Sequence, residues 1–80
     1  MINEHDLADF ERLPIVELYK VKPKSYIKLS WLPEDDENSI IFFDHLDGMY
    51  SFCLTAKNEV VHLHISSPVF PLVKREQNDV

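Results

Sequence analysis

The sequence predicts a small, mainly β domain of the α+β kind: one short N-terminal helix on a four- or five-stranded antiparallel meander, or on a small open barrel. Three observations carry this. In "SYIKLSWL" apolar Ile27, Leu29 and Trp31 alternate with Tyr26, Lys28 and Ser30, the two-residue period of a strand with one buried face. The β-prone runs "IIFFDHL", "MYSFCLT" and "VVHLHIS" follow in close succession. Asp47-Gly48 separates the first two, and Asp-Gly between apolar runs signals a two-residue hairpin, because a type I′ turn needs positive φ at both central residues. The 80 residues make a single domain, residues 1–80, which buries only about 60% of its unfolded surface and so has a thin core.

Element by element, Leu7, Phe10 and Leu13 are spaced for one or two helical turns within residues 1–13, with Asn3 or Asp6 as the cap, and Pro14 ends them. A helix this short needs to dock on the rest. Residues 15–73 hold the meander. "PIVELYKVKP" is β-prone between Pro14 and Pro23. "PEDDENS" has four consecutive acids, Glu34, Asp35, Asp36 and Glu37, which cannot share a buried surface and belong in a solvated loop. "AKNE" reads as a four-residue turn. "SPVFPLV" contains two prolines, which suit an edge strand or an extended cover strip. Residues 74–80 read as a frayed tail.

Composition narrows the function. The net charge is −6, which disfavours a protein that tracks phosphates and an anionic membrane surface but suits a basic protein partner. The single cysteine, Cys53, excludes an intramolecular disulfide and a cysteine-based zinc cage, and fits a reducing compartment. No apolar run reaches the ~18 residues of a membrane span, and the acidic start "MINEHDLADFERL" lacks the apolar stretch of a signal peptide. No cofactor is implied.

Taking Asp47-Gly48 and "AKNE" as the loops sets a register. One face then holds the rows Ile41-Leu54-Val61, Phe43-Phe52-Leu63 and His45-Tyr50-Ile65, which makes it the core face, with His45 at its rim. The other face gathers Asp44-Ser51-His64 and Phe42-Cys53-His62, flanked by Leu46 and Met49. Three chemistries can be weighed on that second face. A hydrolytic triad of Asp44, Ser51 and His64 puts the serine in the middle, where the base belongs. No helix N-terminus or glycine loop is evident to give that triad an oxyanion hole, and a Cys53–His62 thiolate–imidazolium couple lacks an obvious cleft. The His-x-His spacing of His62 and His64 occurs in zinc sites, with Cys53 or Asp44 as a third ligand, but any solvated strand face gives the same spacing. The strip of Phe42, Met49, His62 and His64 suits a partner surface. The acids 34–37 are a secondary electrostatic contact, able to mimic phosphates. Lys20, Lys22, Lys24 and Lys28 cluster between residues 20 and 28, which keeps open a nucleic-acid-binding module that stacks bases on nearby aromatics.

Residues 43–69, "FDHLDGMYSFCLTAKNEVVHLHISSPV", carry a hairpin pattern: Asp47-Gly48-Met49-Tyr50-Ser51, then Cys53, then Val60-Val61-His62-Leu63 and Pro68-Val69. This pattern resembles small uncharacterised proteins of tailed bacteriophages. The resemblance covers about a third of the chain. It implies an accessory protein made in a bacterial cytoplasm that binds and modulates a host protein, and it transfers no functional residue. The expectation is therefore a non-enzymatic binding protein. A nucleic-acid module is the alternative, and a metal-binding or catalytic protein comes third.

Overall fold

The computed structural model describes residues 10–74. Across them the chain forms seven strands: β1 (Phe10–Arg12), β2 (Val16–Glu17), β3 (Ser25–Leu29), β4 (Ile40–Asp47), β5 (Tyr50–Leu54), β6 (Val60–Val61) and β7 (Pro68–Lys74). The sheet is open and antiparallel, in the order β1-β7-β3-β4-β5-β6, and β2 also pairs with β7. The fold is thus mainly β. Among the described residues the only helical piece is a 3-10 turn, Leu18–Lys20, and no helix is long and apolar enough to cross a membrane.

The expected N-terminal helix is corrected where it can be seen. Phe10 begins a strand instead, with Phe10 opposite Lys74 and Arg12 opposite Leu72; residues 1–9 of the helix assignment lie outside the described residues. Tertiary pairing overrides the i, i+3 spacing, because a free strand edge on β7 offers hydrogen bonds that a short isolated helix cannot match. Lys74, assigned to the frayed tail, closes the β1–β7 ladder, and residues 75–80 lie outside the described part. "PIVELYKVKP" yields only the two-residue β2 before the 3-10 turn.

The largest departure from a meander is β7. Its two prolines predict an edge or cover strip, yet it lies inside the sheet, with β3 on one side and β1 and β2 on the other. Its prolines are tolerated for local reasons. Pro68 is the first residue of the strand, a permitted position. Pro71 accepts a hydrogen bond from the Leu13 N–H at 2.9 Å, so its carbonyl and its missing N–H both face the break that Pro14 makes between β1 and β2.

Alternation along the strands gives two faces. The inward one holds Ile27, Leu29, Ile41, Phe43, Cys53 and Val69, all buried, with Val61 and Leu63 packed against them. Leu18 and Val21, from the segment around the 3-10 turn, cover this face and are buried themselves. Full burial of each large apolar side chain contributes about 1.5–3 kcal/mol. Trp31, expected in line with Ile27 and Leu29, is 50% exposed, because β3 ends at Leu29 and Trp31 sits in the following turn.

One more set of bonds shapes the molecule. The Ile65 N–H donates to Met49 O, the Tyr19 N–H to Ile65 O and the Leu18 N–H to Ser67 O, at 2.9–3.0 Å. The segment between β6 and β7 is thereby tied to the start of β5 on one side and to the 3-10 turn on the other.

Candidate functional site

The site begins with the β4–β5 turn. Its flanking pair is Asp47 opposite Tyr50, so the loop is Gly48-Met49 and not Asp47-Gly48. Gly48 has φ 65°, and the φ of Met49 is not positive. Only the first central position is left-handed, the requirement of a type II′ turn.

Asp44 then breaks the alternation. The pairing runs Leu46–Ser51 and His45–Phe52, and beyond the irregularity Phe43–Cys53 and Phe42–Leu54. Asp44 is the extra residue of a β-bulge, which sets Phe43 inward and His45 outward although they are two apart. The core rows inferred from uninterrupted alternation are corrected accordingly. Ile41, Phe43, Val61 and Leu63 do point inward. Leu54, Phe52 and Tyr50 belong outside, and Ser51 and Cys53 are fully buried inside.

β6 departs from its expected run as well. Leu54 pairs with Val60 and Cys53 with Val61, since the turn spans residues 55–59: Thr55 N–H donates to Glu59 O, and Asn58 takes φ 62°. Past Val61 the ladder passes through side chains. Leu63 N–H donates to Ser51 Oγ, and that hydroxyl donates back to Leu63 O, both at 3.0 Å. His62 Nδ1–H donates to the Ser51 carbonyl at 2.8 Å. "VVHLHIS" is therefore a two-residue strand followed by a single bridge, Tyr50–His64. His64 Nδ1 accepts from the Ser66 N–H at 3.1 Å.

The outward face that results is aromatic. Tyr26, Phe42, Leu54 and Val60 stand opposite one another across β3 to β6. Tyr26 meets Phe42 edge to face at 5.2 Å, and Phe10 meets Tyr26 at 5.5 Å. The next row is His45, stacked on Phe52 at 5.4 Å, with His62 edge-on at 5.8 Å. Tyr50 and His64 close the face at 5.6 Å. Its exposed members include Met49 (62%), Tyr50 (54%) and Val60 (49%).

Of the sequence-inferred strip, Phe42, His62 and His64 share this face, and Met49 sits at its hairpin tip. Cys53 does not join them. It lies on the opposite side of β5, and burial pushes its thiol above the ordinary range, opposed by the Ser51 hydroxyl 3.3 Å away. The triad order Asp44, Ser51, His64 is not assembled, because Ser51 faces inward. Asp44 instead accepts from Lys24 Nζ at 2.7 Å and contacts His45 Nδ1 at 2.5 Å. These two bonds, Lys24 first, hold its carboxyl below the ordinary carboxylate range. His45, expected at the core rim, is exposed. Among the described residues, no three His, Cys, Asp or Glu side chains are grouped to hold a metal ion.

The charged segments are largely engaged with each other. Glu34 pairs with Arg12 at 2.6 Å and Glu37 with Lys57 at 3.7 Å. Asp36 Oδ1 accepts from the Asn38 N–H at 2.8 Å, while Asp35 is exposed. Of the lysines, Lys20 pairs with Glu17 and Lys24 with Asp44; Lys22 is exposed, and Lys28 is buried.

Sequence reading missed Tyr26, Tyr50, Phe52 and Leu54 as members of the face. Tyr26 was legible, since it opposes Ile27 in phase. The other three depend on the bulge, whose sequence mark is one acid within an apolar strand.

Fold and site together define a small β-sheet protein with one covered face and one aromatic, imidazole-bearing face open to contact. No family model, curated protein or solved structure matches the chain.

Proposed function

We propose that this chain is a non-enzymatic binding protein that engages a protein partner through the outward face of β4–β6. The carrying observation is the line of exposed Met49, Tyr50 and Val60, continuous with half-buried Phe42 and Phe52 and with His45, His62 and His64. Aromatics and Met are enriched where proteins meet, and charged groups are sparse at interface centres. The resemblance of residues 43–69 to tailed-phage proteins supports a finer reading: a phage-encoded accessory protein acting on a host protein in the bacterial cytoplasm. The acids 34–37 are a secondary contact, with Asp35 the one whose carboxylate is least engaged.

The test is capture from bacterial extract by the immobilised protein, read by mass spectrometry. Tyr50→Ala and Met49→Ala, made alongside a folded control altered on Lys22, should lose the captured protein by tenfold or more while keeping the unfolding midpoint. Equal capture by all forms would remove the reading.

A second reading has one observation in its favour. Aromatic rings laid across a sheet can stack bases. Its electrostatic frame is thin, because Lys24 is paired and Lys28 is buried. Tight oligonucleotide binding that falls steeply with salt would favour it over a protein partner.

A further inference from the structure

Lys28 is the anomaly of this small domain. Its neighbours on β3 alternate properly: Tyr26 outward, Ile27 inward, Leu29 inward. Lys28 also points outward, yet it is only 7% exposed. Lysine is almost never buried unless it is paired. Among the described residues no carboxylate pairs with it. Its ammonium reaches two carbonyls, Leu29 O and Leu32 O, each at 3.4 Å, the far end of hydrogen-bond range. An ammonium has three donors, and the two carbonyls engage at most two of them.

The surroundings explain what would satisfy it. Lys28 lines a cavity of about 240 Å³ with Phe10, Ile40, Leu72, Arg12 and Glu34. The walls Phe10, Ile40 and Leu72 are apolar. Arg12 stands with its guanidinium 4.6 Å from the Phe70 ring centre, and the Lys28 ammonium lies 5.9 Å from the same ring. Two cations therefore flank one ring beside the cavity, and the single acid there, Glu34, is already committed to Arg12 at 2.6 Å. A second negative charge on a ligand would meet Glu34. The site thus asks for one anionic group joined to an apolar body. An enclosed cavity of about 150 Å³ accepts benzene, and this partly open one has room for a short hydrocarbon body.

We propose that the cavity between β1, β7, β3 and β4 binds a small organic monocarboxylate, its carboxylate on Lys28 with Arg12 assisting and its hydrocarbon body against Phe10, Ile40 and Leu72. A carboxylate on a buried ammonium makes a charge-assisted bond stronger than the long carbonyl contacts it supplements. The site lies on the same face as the His45–Phe52–His62 row but toward the other side of the sheet, so its occupancy does not depend on the proposed protein partner.

The full chain is titrated with hexanoate, hexanol, hexylamine and acetate, reading the thermal midpoint and the amide shifts. Hexanoate at ten times its Kd should raise the midpoint by about 5–10 °C and move the amides of Ile40 and Leu72. Hexanol, hexylamine and acetate at equal concentration should do much less. Lys28→Met keeps the aliphatic stem and should abolish the hexanoate response; Arg12→Gln should weaken it by up to about tenfold. Hexanol acting as well as hexanoate, a hexanoate response undiminished in Lys28→Met, shifts confined to residues away from this cavity, or no response at all would each overturn the proposal. If Lys28→Met fails to fold, the four-ligand comparison on the natural chain and the Arg12→Gln titration still decide it.

Discussion

Gly48 and Ser39 show how single positions carry conformational and polar debts. The Gly48 backbone is left-handed, at φ 65°, and a Cβ there would meet nothing within 4 Å. The penalty for a side chain is therefore backbone strain alone. Gly48→Ala should lower stability by about 1–2 kcal/mol, since the first central position of a type II′ turn calls for glycine; a urea melt of the variant checks the loss. Ser39 is fully buried, and its Oγ has no hydrogen-bond partner among the described residues. Its backbone is well used, with the Leu29 N–H donating to Ser39 O at 2.7 Å, so only the hydroxyl is idle. An unsatisfied buried polar atom costs about 1–3 kcal/mol. Ser39→Ala should accordingly leave the melting point unchanged or raise it, and a clear fall would mean that the hydroxyl is bonded after all.

Among the elements, β4 is the one whose behaviour turns on a charge. Its bulge residue, Asp44, is clamped by Lys24, and the Lys24 N–H also donates to the carbonyls of Phe43 and Asp44 at 2.9 and 3.2 Å. The Asp44 carboxyl is held below the ordinary range in the folded chain, mainly by the Lys24 bond. The unfolded chain then binds its proton more readily than the folded one. The stability this contributes is present above the unfolded carboxylate range and lost as pH falls through the lowered folded value. A gap between the natural chain and Asp44→Asn in denaturant midpoint should exist at pH 7 and close on acidification toward pH 3. A gap that stays constant would detach the clamp from titration. The same bulge marks the limit of what the sequence discloses. The phase of Ile27, Leu29, Ile41, Phe43 and Val61 is legible from alternation, and so is the outward placing of His62 and His64. Uninterrupted alternation through Asp44 predicts Ser51 and Cys53 on the outer side, and the bulge there reverses that phase. Phe10 and Pro71 misled for another reason: the pairing of β1 and β3 with β7 joins residues far apart in the chain, and no local pattern reports it.

At the scale of the whole molecule, Cys53 is a reporter of cooperative opening. It sits between Phe43 on β4 and Val61 on β6 and is fully buried, with its thiol shifted away from the reactive thiolate. Labelling by a maleimide or disulfide reagent should be slow in native buffer and rise in step with global unfolding as urea is added. Rapid labelling without denaturant would mean that β5 and β6 peel away alone. The position of β7 has a consequence for biosynthesis. It is the last of the seven strands in chain order, yet β1, β2 and β3 all bond to it. A ribosome that has released residues 1–67 has exposed the hairpins of β3 to β6, while three earlier strands still lack their common neighbour. Chaperone contacts with the nascent chain should therefore persist until residues 68–74 have emerged from the ribosome.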